Sequence, residues 1–315
     1  MEHIQTFVTS FISWVHVHVM DFSQDNTLHV LTVRHGRSTN NDILEELYER
    51  RKSGKITEKF LEKTWLRTRS SDPDLTTIGQ EEAAKLGAWL KQSNITSKRR
   101  LLIFTSPFKR TLDTTAGILS SLGATNNDVD VVVHPFIYET GGVYVSNKEG
   151  KRVGPGKNLS ASEIAQSFQN YDVSMLPRTG PWYTSSWEND ATTNDRAMEM
   201  ARWLKGRSKS LSQGTSLRHF IDATAKAGDQ RGVLVLMVMH GDFINHLTKA
   251  LCNIQNDDTY FGKEKNLFEN QPVNIRSANT ATSLFSIASN GHVAVSWMSS
   301  TQHLEHTAHE RMSRL

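Results

Sequence analysis

Apolar positions along this chain fall into two rhythms. Four short runs, at residues 28–33, 101–104, 129–133 and 233–239, are rich in Val, Leu and Ile and are bounded by polar or turn residues. Such runs predict β-strands. The last is apolar throughout, the pattern of a strand covered on both faces. Between the runs, apolar residues recur at helical spacing. Ala83, Ala84, Leu86, Trp89 and Leu90 follow Thr77 and Gln80, which read as a capping box. Leu112, Ala116 and Leu119 follow Ser106 and Pro107, which read as an N-cap and a first-turn proline. Ser160 and Glu163 make another capping box, Asn194 or Asp195 opens a helix through Met198, Ala201 and Leu204, and residues 242–251 continue directly from the fourth run.

This alternation predicts an α/β fold, a three-layer α/β/α sandwich with a mostly parallel central sheet. Residues 282–288 and 292–297 flank Asn290 and Gly291, a strong hairpin pair, so the sheet is expected to end in an antiparallel edge. Two stretches break the rhythm. Residues 42–74 are charged and partly helical. Residues 141–231 are rich in Gly, Pro, Trp and Lys and are expected to form a long cap insertion beside the site. The expected organisation is an N-terminal arm, residues 1–26, followed by one domain, residues 27–315.

Composition narrows the function classes. With 37% hydrophobic and 22% charged residues over 315 positions, the chain reads as globular. A net charge of +3 without a long basic run speaks against a nucleic-acid partner. Residues 7–20 are apolar-rich but too short to span a bilayer, and they lack the basic start and cleavage site of a secretory signal. No stable membrane span is therefore expected. The single cysteine, Cys252, precludes an intrachain disulfide and suits a reducing, cytoplasmic compartment. Its apolar surroundings read as core. Nothing in the pattern sets the oligomeric state.

Ligands of open α/β sheets bind beyond the carboxyl ends of the strands. Arg34, His35, Gly36 and then Asn41 follow the first predicted strand; Ser106, Pro107 and Arg110 follow the second; His134 and Glu139 follow the third; His240 and Gly241 follow the fourth. One nucleophile, two arginines, a second histidine and a carboxylate on one edge suit phosphoryl transfer. A neutral imidazole attacks phosphorus, and guanidinium groups fork onto phosphoryl oxygens. Arg34 and Arg110 are the expected anion holders, Arg110 with help from a helix N-terminus. His240 would donate to the same oxygens and Asn41 would add a neutral donor. Glu139 would protonate the leaving oxygen and then deprotonate water. His303, His306 and His309 step three residues apart, but nothing nearby completes a metal site, so no metal or cofactor is expected.

Taken in order, these residues resemble the histidine phosphatase superfamily, also called phosphoglycerate mutase-like. Arg34-His35-Gly36 with Asn41 matches its opening motif. Asp72, Leu75, Thr76 and Gly79 match its Asp-x-x-Leu-Thr-x-x-Gly helix start, and Ser106, Arg110 and Thr114 its Ser-x-x-x-Arg-x-x-x-Thr segment. Glu139 with Gly141, Glu188 with Arg196, His240-Gly241 and Asn279 follow in the family's order. The resemblance implies that His35 is phosphorylated, that Arg34, Arg110 and His240 bind the phosphoryl group, that Glu139 is the acid and base, and that the partner is a small phosphorylated substrate.

The departures shape the reading. Arg37 stands where the family often has Glu, either as an extra cation at the mouth of the site or facing solvent. The mutase signature Glu-Arg-His-Tyr-Gly is replaced by Tyr138-Glu139-Thr140-Gly141-Gly142. A phosphomonoesterase is thus favoured over a phosphoglycerate-type mutase, with a non-catalytic phospholigand-binding protein as a third reading. Asp242 reads as the N-cap of the helix after His240. Lys148, Lys151, Arg152 and Lys157 read as a solvated loop, the alternative being a grip on a second phosphate or carboxylate. Trp182 and Trp187 read as packing of the cap, the alternative being that one of them lines the pocket.

Overall fold

The computed structural model describes residues 27–94, 98–125, 128–147, 150–211, 232–254 and 274–304. The arm at residues 1–26, residues 212–231 of the expected cap, Lys148, His306 and His309 lie outside them. In chain order the described elements are β1 (Thr27–Arg34), α1 (Thr39–Lys52), α2 (Glu58–Thr68), α3 (Thr77–Gln92), β2 (Arg99–Thr105), α4 (Lys109–Leu122) and β3 (Val129–Val133). A small β4–β5 hairpin (Val145–Ser146, Arg152–Val153), α5 (Ala161–Ser167), β6 (Tyr171–Asp172) and α6 (Asp190–Leu211) follow. The chain closes with β7 (Gly232–Met239), α7 (Gly241–Leu251), β8 (Thr282–Ala288), β9 (Val293–Ser300) and a 3-10 turn (Gln302–Leu304).

The seven-stranded sheet has the order β6-β3-β2-β7-β1-β8-β9. The first five are mutually parallel; β8 and β9 form the antiparallel edge. The fold is the expected three-layer α/β arrangement. Alternation along each strand sends side chains to opposite faces. Leu31, Val33, Leu101, Ile103, Leu234, Leu236 and Val238 pack with Leu86, Leu90, Leu112 and Ile118 of α3 and α4. Leu28, Val30, Leu102, Phe104, Val235 and Met237 pack with Ala197, Leu204, Phe243 and Leu247 of α6 and α7. The carboxyl ends of β1, β7, β2 and β3 lie side by side, and the candidate residues follow them.

Helix starts differ in detail from the sequence reading. α3 is capped by Thr76, whose hydroxyl accepts the Gly79 N–H at 3.1 Å, one residue earlier than the Thr77 box. α4 starts after Phe108 rather than at Ser106 and Pro107. Its Lys109 N–H is taken by the Asp72 carboxylate at 2.9 Å, a cap supplied from 37 residues upstream. α6 starts at Asp190, earlier than Asn194, because the Asn189 side chain accepts the Thr192 N–H. The Ser160 and Glu163 capping box is present. Much of the expected cap joins the layers: β6 extends the sheet next to β3, and α6 covers one face.

Candidate active site

Two glycine contacts set the floor of the site. β1 ends at Arg34, and the chain then turns through Gly36 against the first turn of α3. A Cβ on Gly36 would lie 2.4 Å from the Gly79 carbonyl oxygen, and one on Gly79 would lie 2.1 Å from the Arg37 carbonyl oxygen. Only glycine permits this backbone approach. The Gly36 N–H also donates to Thr114 Oγ1 at 2.9 Å, and Thr114 lies one helical turn beyond Arg110. The Asn279 amide donates to the His35 carbonyl at 3.0 Å. Three of the sequence motifs therefore serve to hold one loop.

His35 is 3% exposed. Its Nδ1 lies 2.7 Å from the Gly36 carbonyl oxygen. A carbonyl can only accept, so Nδ1 carries the proton and Nε2 carries the lone pair. Burial, then the charges of Arg110 and Arg34, hold its pKa well below the usual histidine value, against the pull of the Gly36 carbonyl. The ring is thus a neutral base with its nucleophilic nitrogen fixed.

His240 is fully buried with its ring centroid 5.3 Å from that of His35. Arg110 Nη2 sits 3.0 Å from His240 Nδ1. A guanidinium only donates, so Nδ1 accepts, and Nε2–H donates to Ser106 Oγ at 2.9 Å. Both ring nitrogens have protein partners, and through Nδ1 the imidazole orients Arg110. Burial and the surrounding arginines hold it neutral.

Arg34 Nη1 donates to the Ser277 carbonyl at 2.7 Å. The Nε atoms of Arg34 and Arg110 are both buried with no partner among the described residues. Leaving a buried guanidinium N–H unpaired is costly, and both side chains line one cavity, where their charge favours an anion. Asn41 lines the same cavity. Its amide oxygen accepts from the Ser38 N–H and hydroxyl, so its NH2 is the end left to donate. Gly241, at the first position of α7, lies against the Arg34 side chain.

Glu139 Oε1 accepts from the Thr140 N–H at 2.9 Å and from the Phe243 N–H of α7 at 3.2 Å. Burial first, then the neighbouring Asp242 carboxylate, push its pKa up to about 7, against the arginines. Asp242 is not the N-cap of α7. That position is His240, and Asp242 lies within the first turn, lining the cavity, with its own pKa raised by burial. The segment carrying Glu139 is braced from behind. Arg196 donates to the Phe136 and Tyr138 carbonyls and pairs with Glu188 at 2.6 Å. It also lies 3.6 Å from the Tyr138 ring centroid.

These groups open into a cavity of about 550 Å³. Its outer wall comes mainly from α1 and α2, including Tyr48, Trp65 and Arg69, joined by Tyr144 and Arg276. From the described part of the cap, only Gly142 and Tyr144 reach it. Arg37 is not at the mouth: it pairs with Asp42 and Glu45 and its side chain is 12% exposed. His134 is a core residue, accepting the Phe136 N–H and packing on Phe104 and Trp203. Arg152 pairs with Glu62, Trp182 packs on Phe108 and Tyr138, and Lys151 and Lys157 are exposed. His303 contacts the Thr280 hydroxyl at 2.9 Å, and Cys252 is half-buried at the end of α7. The sequence does not show Ser106 as a partner of His240, nor the outer wall.

A pinned imidazole between two buried arginines, with a raised carboxyl group beside them, is the constellation already matched in sequence. The chain matches the histidine phosphatase superfamily (branch 1) over residues 30–142. The histidine phosphatase match takes in Arg34, His35, Arg110 and Glu139. His240, Asp242 and Asn279 come to the same site from beyond it. No curated protein matches the chain at a significant level. Among solved structures, the chain is similar to the ecdysone phosphate phosphatase of Bombix mori in complex with tungstate. The identity is 15%, the match covers 82% of this chain and 88% of that one, and the TM-score is 0.45. It is also similar to the protein histidine phosphatase SixA, at 14% identity, covering 88% and 100%, with a TM-score of 0.40. A mycobacterial glucosyl-3-phosphoglycerate phosphatase matches at 14% identity, covering 87% and 100%, with a TM-score of 0.41.

Proposed function

We propose that the protein is a phosphomonoesterase that works through a phosphohistidine on His35. The observation that carries this reading is the convergence of Arg34, His35, Arg110 and Glu139 on one cavity, with the imidazole's Nδ1–H pinned on the Gly36 carbonyl. The guanidinium charges favour an anion there, and the pinned tautomer leaves Nε2 as the nucleophile.

The reaction follows from these placements. His35 Nε2 attacks phosphorus, and the bond from phosphorus to the ester oxygen breaks. The leaving oxygen takes a proton from Glu139, which its raised pKa keeps protonated near neutrality. The positive charge formed on the His35 ring is shared with the Gly36 carbonyl through Nδ1–H. Arg34 and Arg110 hold the phosphoryl oxygens as charge builds, with Asn41 and the N-terminus of α7 at Gly241 beside them. Water then attacks phosphorus, its proton goes to the Glu139 carboxylate, and the bond from nitrogen to phosphorus breaks. Inorganic phosphate leaves and neutral His35 is restored. His240 acts as a positioning residue through Arg110. The cations acting on the phosphoryl group are guanidinium groups, so the scheme calls on no metal.

Phosphate release from a generic aryl phosphate tests the reading. His35→Ala is expected to lose roughly 10³-fold or more in kcat. Undiminished release by the variant would overturn the scheme.

A further inference from the structure

The signature that marks the phosphate end of the cavity recurs farther out. Arg69 ends α2 and lines the outer wall. Its Nη1 donates to the Tyr144 carbonyl at 2.7 Å, and its guanidinium carbon lies 3.8 Å from the Tyr144 ring centroid and 5.7 Å from that of Trp65. The cation is therefore held in one place. Yet its Nε is buried with no partner, and no carboxylate pairs with it among the described residues. Of the carboxylates lining the cavity, Glu58 pairs with Arg51, Glu49 lies on α1 and forms no ion pair with Arg69 among the described residues, and Glu139 and Asp242 belong to the inner end. The nearby charge is Arg152, which repels it. A positioned, largely desolvated and uncompensated guanidinium is costly for the free protein, and an anion would relieve that cost.

Arg69 comes from a different part of the fold than Arg34 and Arg110. Arg34 ends β1, next to His35, and Arg110 follows β2, whereas Arg69 stands at the end of α2 against the Tyr144 and Trp65 rings.

We propose that Arg69 reads a second anionic group on the substrate. The preferred ester then carries a carboxylate or a second phosphate on its leaving-group side, with a planar or apolar body against Tyr48, Trp65 and Tyr144. This inference rests on the phosphomonoesterase reading above.

The test compares phenyl phosphate with phenyl phosphates bearing a carboxylate at the ortho, meta or para position. With the unaltered protein, the best isomer is expected to exceed phenyl phosphate in kcat/KM by roughly tenfold or more, the worth of one charge-assisted hydrogen bond. In Arg69→Gln that advantage is expected to shrink to about twofold or less, and in Arg69→Lys to fall between, since charge is kept and the fork is lost. The advantage of the unaltered protein should also fall as salt is raised, a readout that needs no variant. No advantage for any isomer, or one that survives Arg69→Gln or high salt, would overturn the inference while leaving the phosphatase reading intact. No phosphate release from any ester would overturn that reading and this inference with it.

Discussion

The two ends of the cavity are built on different principles. At the inner end each reacting group is locked by a partner from a distant part of the chain: His35 by Asn279, Arg110 by His240 and Glu139 by Phe243, with the adjacent Gly36 and Thr140 holding His35 and Glu139 as well. These groups sit on strand ends and helix starts of the central layers. The outer wall is carried by α1 and α2, which project from the β1 end, and there Arg69 is held by stacking and one carbonyl. The inner end fixes which bond is cut. The outer end is free to change with substrate, because its residues do not support the sheet.

That contrast is broken most severely by removing the acid. Glu139→Gln is expected to slow release from alkyl phosphates by roughly 10²- to 10⁴-fold, and to cost less on aryl phosphates, whose leaving oxygen needs no proton. The pH profile should show the same group. For alkyl esters kcat/KM is expected to fall as pH rises through about 7, where Glu139 loses its proton. A flat profile there, or equal losses on both ester types, would remove Glu139 from the acid role. The same shift bears on stability. The folded state holds the Glu139 proton from the ordinary carboxylate pKa of 4.5 up to about 7, whereas the unfolded chain loses it near 4.5. Its contribution is therefore full below 4.5 and is lost as pH rises to about 7. Melting curves of the protein and of Glu139→Gln, which mimics the protonated acid, should lie together on the acid side of that window and separate on the alkaline side, where the protein but not the variant loses stability.

Next in size is the brace behind the acid. Glu188→Gln leaves Arg196 buried without its counter-charge and is expected to cost about 3–5 kcal/mol in denaturant unfolding. A cost under about 1 kcal/mol would show that the Tyr138 and Phe136 carbonyls suffice. His240→Phe leaves Arg110 Nη2 without its acceptor. The expected loss is about 10- to 100-fold in kcat/KM for aryl phosphate, from a misplaced Arg110. The smallest effect is expected at Arg37→Gln. Its pairs with Asp42 and Glu45 lie outside the cavity, and such pairs contribute about 1 kcal/mol or less. A large rise in KM would return Arg37 to the substrate path.

Much of the inner end was legible in the sequence because its residues occupy strand ends, and strands announce themselves as short apolar runs. What the pattern could not show was which atom each motif residue touches. Ser106 looked like a helix cap, but Asp72 caps α4 from across the chain and frees the serine for His240. Asp242 looked like a cap too; the helix begins at Gly241, with His240 as its N-cap, and the Asp242 carboxylate in the first turn lines the cavity. Arg37 looked like a cation at the mouth until Asp42 and Glu45 were seen to pair with it. The outer wall was least legible. Tyr48, Trp65 and Arg69 lie on two amphipathic helices whose spacing predicts burial of a face but not what that face lines. The stretch that drew attention as a cap, residues 141–231, supplies a layer helix and a short edge strand as well as the β4–β5 hairpin and α5 among its described residues.

The central claim is that His35 Nε2 carries the phosphoryl group in mid-reaction. Rapid acid-free quenching of the protein with a labelled phosphate ester, followed by peptide mapping, tests it directly. The account predicts a base-stable, acid-labile label on the peptide containing His35, absent in His35→Ala and longer-lived in Glu139→Gln. Turnover with no label on that peptide, or a base-labile label on a carboxylate, would contradict it.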